Sequence, residues 1–211
     1  MPSASTLAVF ALASFLLIVV PGPAVLYVVT RSIAQGRRAG LVSMLGVEAG
    51  GLVHVAAAAI GLSAIIASSA TAFTAVKLAG AAYLIYIGVR RLVSREEALP
   101  EATVAGRSSR RLFAQGVVVN VLNPKTAVFF LAFLPQFVDP ARGTVTLQFL
   151  VLGLSFVAVA MISDGAYALA AGTAGDRLRG SERVRRWLGR FSGAVFVGLG
   201  VTAALTGRPT D

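Results

Sequence analysis

Along the chain, apolar residues gather into six stretches, each near the roughly 20 residues that a helix needs to cross the hydrocarbon layer. They run from Leu7 to Val29, Leu41 to Ala67, Ala72 to Leu92, Phe113 to Phe133, Leu147 to Ala171 and Leu188 to Thr206. None alternates with a charged face at a period of about 3.6, as a water-exposed amphipathic helix would, so apolar character persists all the way round. The pattern predicts six transmembrane helices in an all-α integral membrane protein. Nor does the first stretch read as a signal peptide: no Lys or Arg precedes it, and it is longer than an h-region of about 7–15 residues.

Composition agrees. Of 211 residues, 56% are hydrophobic and 13% charged, and the mean hydropathy is +0.81. A soluble domain of this size could not cover its surface with so few polar groups. The net charge of +10 would suggest a nucleic-acid partner in a soluble chain, but the charges sort by connection instead. Fifteen of the 19 basic residues fall between the first and second, third and fourth, and fifth and sixth stretches or in the helical turn adjoining those connections, which is one side of a six-span chain. Only Arg142 and Arg208 fall on the other side. The positive-inside rule makes the arginine-rich side cytoplasmic and places both termini outside. Nucleic acid is thereby excluded as partner. Cysteine is absent and His54 is the single histidine, so no metal site and no thiol chemistry is expected.

The chain also shows an internal repeat. Pro21-Gly22-Pro23-Ala24-Val25 with Tyr27 answers to Pro124-Lys125-Thr126-Ala127-Val128 with Phe130, and Lys77-x-x-Gly80-Ala81-x-Tyr83 answers to Arg190-x-x-Gly193-Ala194-x-Phe196. The order of both matches fits a duplication of three helices. Three being odd, the second copy enters the membrane from the opposite face. The expected organisation is one membrane domain: a first three-helix repeat over 1–93, a cytoplasmic linker over 94–111 and an inverted second repeat over 112–211. Inverted repeats are common in secondary transporters, whose substrates bind near the midplane where interrupted helices meet.

The interruptions are readable. Pro21, Gly22 and Pro23 fall inside the first stretch and Asn123-Pro124 inside the fourth. Each proline removes a backbone donor and frees carbonyls, which a bilayer tolerates only beside protein or a water-filled cavity. Two packing kinks would explain the prolines alone, but not the clustering of Asn120, Asn123 and Lys125 around the second break.

Four charges lie within the spans: Glu48, Lys77, Lys125 and Asp164. Each would cost about 2.5–3.5 kcal/mol at mid-helix on insertion scales, so their presence calls for a role. Glu48 and Asp164 both lie about seven residues from the cytoplasmic end, about 10 Å deep, where they can share a cavity, bind an ammonium or carry protons. Lys125 lies deeper and is the natural partner of a substrate carboxylate or of Asp164; the competing reading is a structural ion pair. Lys77 is near enough to an end to snorkel. His54 can relay protons, although a lone histidine in an apolar face is more often a satisfied core group. Glycines at 46, 50, 51 and 61 form a close-approach face, for packing inside the chain or for a homodimer.

Taken together, these residues resemble the LysE/RhtB family of amino-acid exporters. The match runs through Pro21-Gly22-Pro23, Gly46 to Gly51 with His54, and Lys77-x-x-Gly80-Ala81-x-Tyr83-Leu84. It continues through Gly116-x-x-x-Asn120-x-x-Asn123-Pro124-Lys125, Phe129-Phe130, Pro135-Gln136-Phe137 and Gly198-Leu199-Gly200, nearly the whole chain. The resemblance implies export of an amino acid or derivative across the bacterial inner membrane by proton antiport, with no cofactor and no catalytic residues. No G-x-x-x-x-G-K-(S/T) motif suggests ATP drive. On this reading Pro21, Gly22, Pro23, Glu48, Asn120, Asn123, Pro124, Lys125 and Asp164 form the substrate site, and Asp164, Glu48 and His54 handle protons. The alternatives are an exporter of metal or other inorganic ions, opposed by the lack of Cys and His, and a membrane-embedded lipid-modifying enzyme, opposed by the lack of a paired catalytic constellation at an interface. A structural or signalling subunit would not need Lys125 at mid-depth.

Overall fold

The computed structural model describes residues 1–64, 70–93 and 108–178, together with 194, 197, 198, 201, 204 and 205. Among these there is no strand. Helix α1 (Ala4–Val19) starts at Ser3, whose hydroxyl accepts from the Thr6 amide at 3.1 Å. It stops at the Pro-Gly-Pro break, and α2 (Pro23–Ala57) restarts with Gly22 as N-cap and Pro23 in its first turn. A π-helical turn (Ala58–Leu62) follows. Helices α3 (Ala70–Val93) and α4 (Ser109–Val121) come next. After α4 the chain breaks at Leu122-Asn123 and restarts with α5 (Pro124–Val128), continued by a π-helical turn (Phe129–Phe133) and a 3-10 turn (Leu134–Phe137). The pair Ser109–Val121 and Pro124–Phe137 is bent by 44°. Helix α6 (Val145–Leu178) is the last one described in full.

The stretch 23–62 is not one straight rod. Gly36 has φ +83° and ψ 174°, a backbone region that is essentially glycine's own. Residues eight apart on a continuous helix would be about 12 Å apart, yet a Cβ on Gly40 would sit 3.2 Å from the Cα of Ser32. The chain therefore doubles back at Gly36. Residues 23–35 complete the first span beyond its break, and 37–62 form the second. Among the described residues, three helical stretches have the length and apolar character to cross a membrane if the bent pair counts as one: 23–62, 145–173 and the pair itself; α1 is shorter. Dividing the first at Gly36 adds α1 with 23–35 as a broken span. The predicted sixth span, Leu188 to Thr206, the 94–107 part of the linker and the Arg190–Phe196 repeat match lie outside the described residues, apart from the isolated positions given above.

Contacts fix the directions of the helices. Gly46 faces Phe113 and Gly50 faces Val117, so the second span runs parallel to α4. Val55 meets Gly153 and Arg37 meets Gly172, so α6 runs antiparallel to the second span. Tyr167 Oη donates to the Val19 carbonyl at 2.7 Å, and the Met1 ammonium donates to the Arg142 carbonyl, so α1 runs parallel to α6. These are the directions that alternate crossing gives to spans one, two, four and five. The glycines at 46, 50 and 116 are thus used for packing inside the chain: a Cβ on any of them would lie 2.2 to 2.6 Å from a backbone oxygen of the neighbouring helix.

The molecule is apolar outside and polar inside. Ile60, Leu122 and Ile162 are exposed, whereas Ser14, Ser43, Glu48, Asn120, Asn123, Lys125, Thr126 and Asp164 are buried. A lipid-facing perimeter around a polar interior is what a bilayer as solvent selects. One apolar core lies toward the end that holds the N-terminus, built on Phe10, Phe129, Phe133 and Phe156, whose rings pack at centroid distances of 5.1 to 5.9 Å around Phe129. At that same end Gln148 is buried and ties down the 139–143 turn, donating to the Asp139 carbonyl at 2.8 Å and accepting from its amide at 3.0 Å.

Candidate functional site

The two breaks meet. Proline and the residue before it set the same local grammar at both: Gly22 caps the helix that opens with Pro23, and Asn123 caps the one that opens with Pro124, its Oδ1 accepting from the Lys125 amide at 3.1 Å. Between them lies a small cavity of about 30 Å³ whose polar lining is Glu48, Asn120, Asn123, Lys125, Thr126 and Asp164, with Gly22 at the first break. Leu17, Ile18, Val25, Val47, Phe156 and Ala160 make the apolar wall. This volume holds about two waters and no amino acid.

Lys125 crosses from one break to the other. Its Nζ donates to the Val20 carbonyl at 2.5 Å, and its stem lies so close to Gly22 that a Cβ there would be 3.0 Å from the Lys125 Cδ. The break between α1 and α2 separates the Val20 carbonyl from its helical partner, the Ala24 amide, and Pro23 lacks the N–H that would have met Val19. The adjacent freed carbonyl, Val19, takes the Tyr167 hydroxyl. Both freed acceptors are thereby satisfied from the second half of the chain, the accounting that an interrupted helix in a bilayer demands.

Asn120 organises the second break. Its Nδ2 donates to the Val47 carbonyl at 2.7 Å, and its Oδ1 accepts from Thr126 Oγ1 at 3.0 Å and from Asn123 Nδ2 at 3.3 Å. His54 Nε2 lies 2.9 Å from the Asn120 carbonyl, which can only accept, so that nitrogen carries a proton. The imidazole also packs on Phe130 at a centroid distance of 5.9 Å. His54 does not line the cavity.

The carboxylates face the same space. Glu48 reaches it from the second span and Asp164 from α6, close enough that their charges act on one another, and the Lys125 charge acts on Asp164. Among the described residues, Glu48 Oε1 and Asp164 Oδ1 are buried and accept no hydrogen bond. Gly51 keeps the floor low: a Cβ there would come 3.4 Å from Asn120 Nδ2 and 3.9 Å from Glu48 Oε2.

Of the residues expected from sequence, Gly22, Glu48, Asn120, Asn123, Lys125 and Asp164 come together at one cavity. Pro21, Pro23 and Pro124 stand at the breaks as their makers, outside the lining. Sequence reasoning missed Thr126 and Tyr167. Thr126 stands three residues after Asn123, and Tyr167 three residues after Asp164, a spacing that puts each on the same helical face as a residue already singled out. Among the described residues, no group of three or more His, Cys, Asp or Glu is placed to hold a metal ion.

Residues 15–207 match the family described as LysE type translocator. The chain is 33% identical over 196 residues, 92% of its length and 94% of the other's, to the homoserine/homoserine lactone efflux protein of Salmonella typhimurium. It is 33% identical to an uncharacterized membrane protein of Vibrio cholerae, covering 87% of this chain and 89% of that one. Against the threonine efflux protein of Escherichia coli K12 the identity is 28%, over 86% of this chain and 88% of the relative. No solved structure matches. A profile spanning nearly the whole sequence and relatives aligned end to end make this a membrane transporter rather than an enzyme: the chain belongs to the LysE type translocator family.

Proposed function

We propose that the protein exports a small amino acid or a close derivative across the bacterial inner membrane, in exchange for protons, from a site at the meeting point of the two breaks. The observation that carries this reading is the pair of buried carboxylate oxygens, on Glu48 and Asp164, facing one cavity without a hydrogen-bond donor. They are matched to an ammonium or a proton. Opposite them, Lys125 and the first turns of two helices supply positive potential for a carboxylate. Gly22 and Asn123, the two N-caps, line the cavity together with Ala24 and Val25, whose first-turn position leaves their amides without intrahelical acceptors. An α-amino acid carries both charges at fixed separation. Homoserine and threonine, named in two relatives, add a hydroxyl, for which Asn120, Asn123 and Thr126 offer partners.

Proton exchange follows from sharing: a carboxylate that binds the substrate ammonium is free to take a proton once the substrate leaves. His54, fixed against the Asn120 carbonyl, stands behind the site as a relay. The matching break grammar and the alternate helix directions support two inverted three-helix repeats, 1–93 and 112–211, joined by 94–111. With the arginine-rich side in the cytoplasm, both termini lie outside.

The test is transport into and out of vesicles carrying the purified protein, with labelled homoserine, threonine, basic and branched amino acids under an imposed pH gradient. Lys125→Met should abolish transport of carboxylate-bearing substrates. Asp164→Asn and Glu48→Gln should uncouple it from the gradient, and full gradient-driven export by both variants would overturn the assignment.

A further inference from the structure

A second opening lies away from the central cavity, near the turn at Gly36. It is a groove of about 450 Å³ between residues 23–35 and α4, lined by Tyr27, Arg31, Arg111, Ala114 and Val118 among others. Arg31 is only 8% exposed, and among the described residues its Nε and Nη1 are buried without a hydrogen-bond acceptor. Its guanidinium lies over the Tyr27 ring at 5.5 Å, and that ring is itself fixed by a 2.7 Å hydrogen bond from Tyr27 Oη to the Leu112 carbonyl. The guanidinium is therefore held in place while two of its donor nitrogens, Nε and Nη1, remain unspent among the described residues. Among the described residues, no acidic residue lines the groove. A desolvated guanidinium with two nitrogens unmatched among the described residues is costly, so the groove suits an anion.

The walls say which anion. Ala114, Val118 and Val119 are apolar, and Val118 is exposed at the perimeter that faces lipid. Arg31 lies five residues before the reversal at Gly36, about 7–8 Å from it along the helix, and Arg111 lies in the first turn of α4 at the same end. Two guanidiniums near the headgroup layer, above an apolar trough that opens sideways, match a phosphate with an acyl chain beneath it. A free amino acid, which carries an ammonium as well, finds no acid in the described lining. We propose that this groove binds one anionic phospholipid, with its phosphate on Arg31 and Arg111 and its chain along Ala114, Val118 and Val119.

The experiment is native mass spectrometry of the full chain released from neutral detergent supplemented with phosphatidylglycerol or phosphatidylcholine. One phosphatidylglycerol should be retained and phosphatidylcholine should not. Arg111→Gln, at an exposed position whose loss leaves packing intact, should weaken retention about five- to tenfold, near the worth of one cation at a membrane surface. Arg31→Lys, which keeps the charge but not the fork, should weaken it too, with an unchanged circular dichroism spectrum as the check on folding. Equal retention of the two lipids, or wild-type retention by both variants, would overturn the proposal. So would displacement of the bound lipid by free threonine, which would give the groove to a substrate carboxylate instead.

Discussion

Gly46→Ala isolates the close approach of the second span to α4. A Cβ at this position would lie 2.2 Å from the Phe113 carbonyl oxygen and 2.9 Å from both its carbonyl carbon and its Cα. A carbon and a carbonyl oxygen meet at about 3.3 Å at closest, so the helices must part by about 1 Å. The obstacle is backbone, which no rotamer change can move aside. Overpacking of this kind costs about 1–3 kcal/mol. The same shift pulls on two bonds between the spans, Asn120 Nδ2 to the Val47 carbonyl at 2.7 Å and His54 to the Asn120 carbonyl at 2.9 Å, so the damage reaches the cavity. Gly61→Ala is the control, because nothing lies within 4 Å of its Cβ position among the described residues. Reversible denaturation in mixed micelles should show Gly46→Ala destabilised by about 1–3 kcal/mol against wild type, with Gly61→Ala close to neutral. If the two variants unfold at the same denaturant concentration, the second span and α4 do not touch at these glycines, and the parallel arrangement deduced from them falls.

Gly36→Ala meets no steric obstacle, since nothing lies within 4 Å, but it places a Cβ on a residue at φ +83°. The expected loss is about 1–3 kcal/mol from backbone strain alone, seen in the same titration; a neutral result would mean that the chain does not reverse there. Tyr167→Phe removes the 2.7 Å bond to the half-buried Val19 carbonyl, which water can then take, at a cost of about 0.5–1.5 kcal/mol. Ser155→Ala, whose hydroxyl bonds only the Val151 carbonyl of its own helix, is the comparison; equal stability of these two variants would show that Tyr167 does not hold the break.

What the sequence exposed was whatever depends on position along one helix. Proline marks a break wherever it falls, so both interruptions were readable, and counting from the arginine-rich ends put Glu48 and Asp164 at a common depth. The structure brings these two to one cavity because the second span and α6 run antiparallel, so equal counts from one face meet. What stayed hidden depends on which helices touch. The bond from Lys125 to the Val20 carbonyl joins residues 105 positions apart, and the Tyr167 bond to Val19 joins residues 148 apart. Neither has a local signature beyond the polar side chain itself. Helix lengths were misjudged for a related reason. Residues 30–35 are too polar to count as bilayer-spanning, yet the helix runs through them to Gly36, because helix formation needs only satisfied backbone, whereas span prediction counts apolar side chains.

The size of the cavity constrains how any amino acid could reach it. Room for about two waters means that the surrounding helices must part, and the interfaces differ in what parting would cost. Between the second span and α4 the glycine contacts bring backbone against backbone, and cores packed at that density rearrange as units rather than deform. Across the first break the contacts are of another kind: two side chains, Lys125 and Tyr167, hold two carbonyls that the prolines left free. Water can replace such bonds at little net cost, since exchanging one hydrogen-bond partner for another leaves only about 0.5–1.5 kcal/mol per bond. The second span and α4 thus meet through backbone packing, whereas the bonds across the first break are ones that water or a ligand can exchange. On the proposed assignment of Lys125 to the substrate carboxylate, binding would compete with the bond to Val20, because one ammonium makes both.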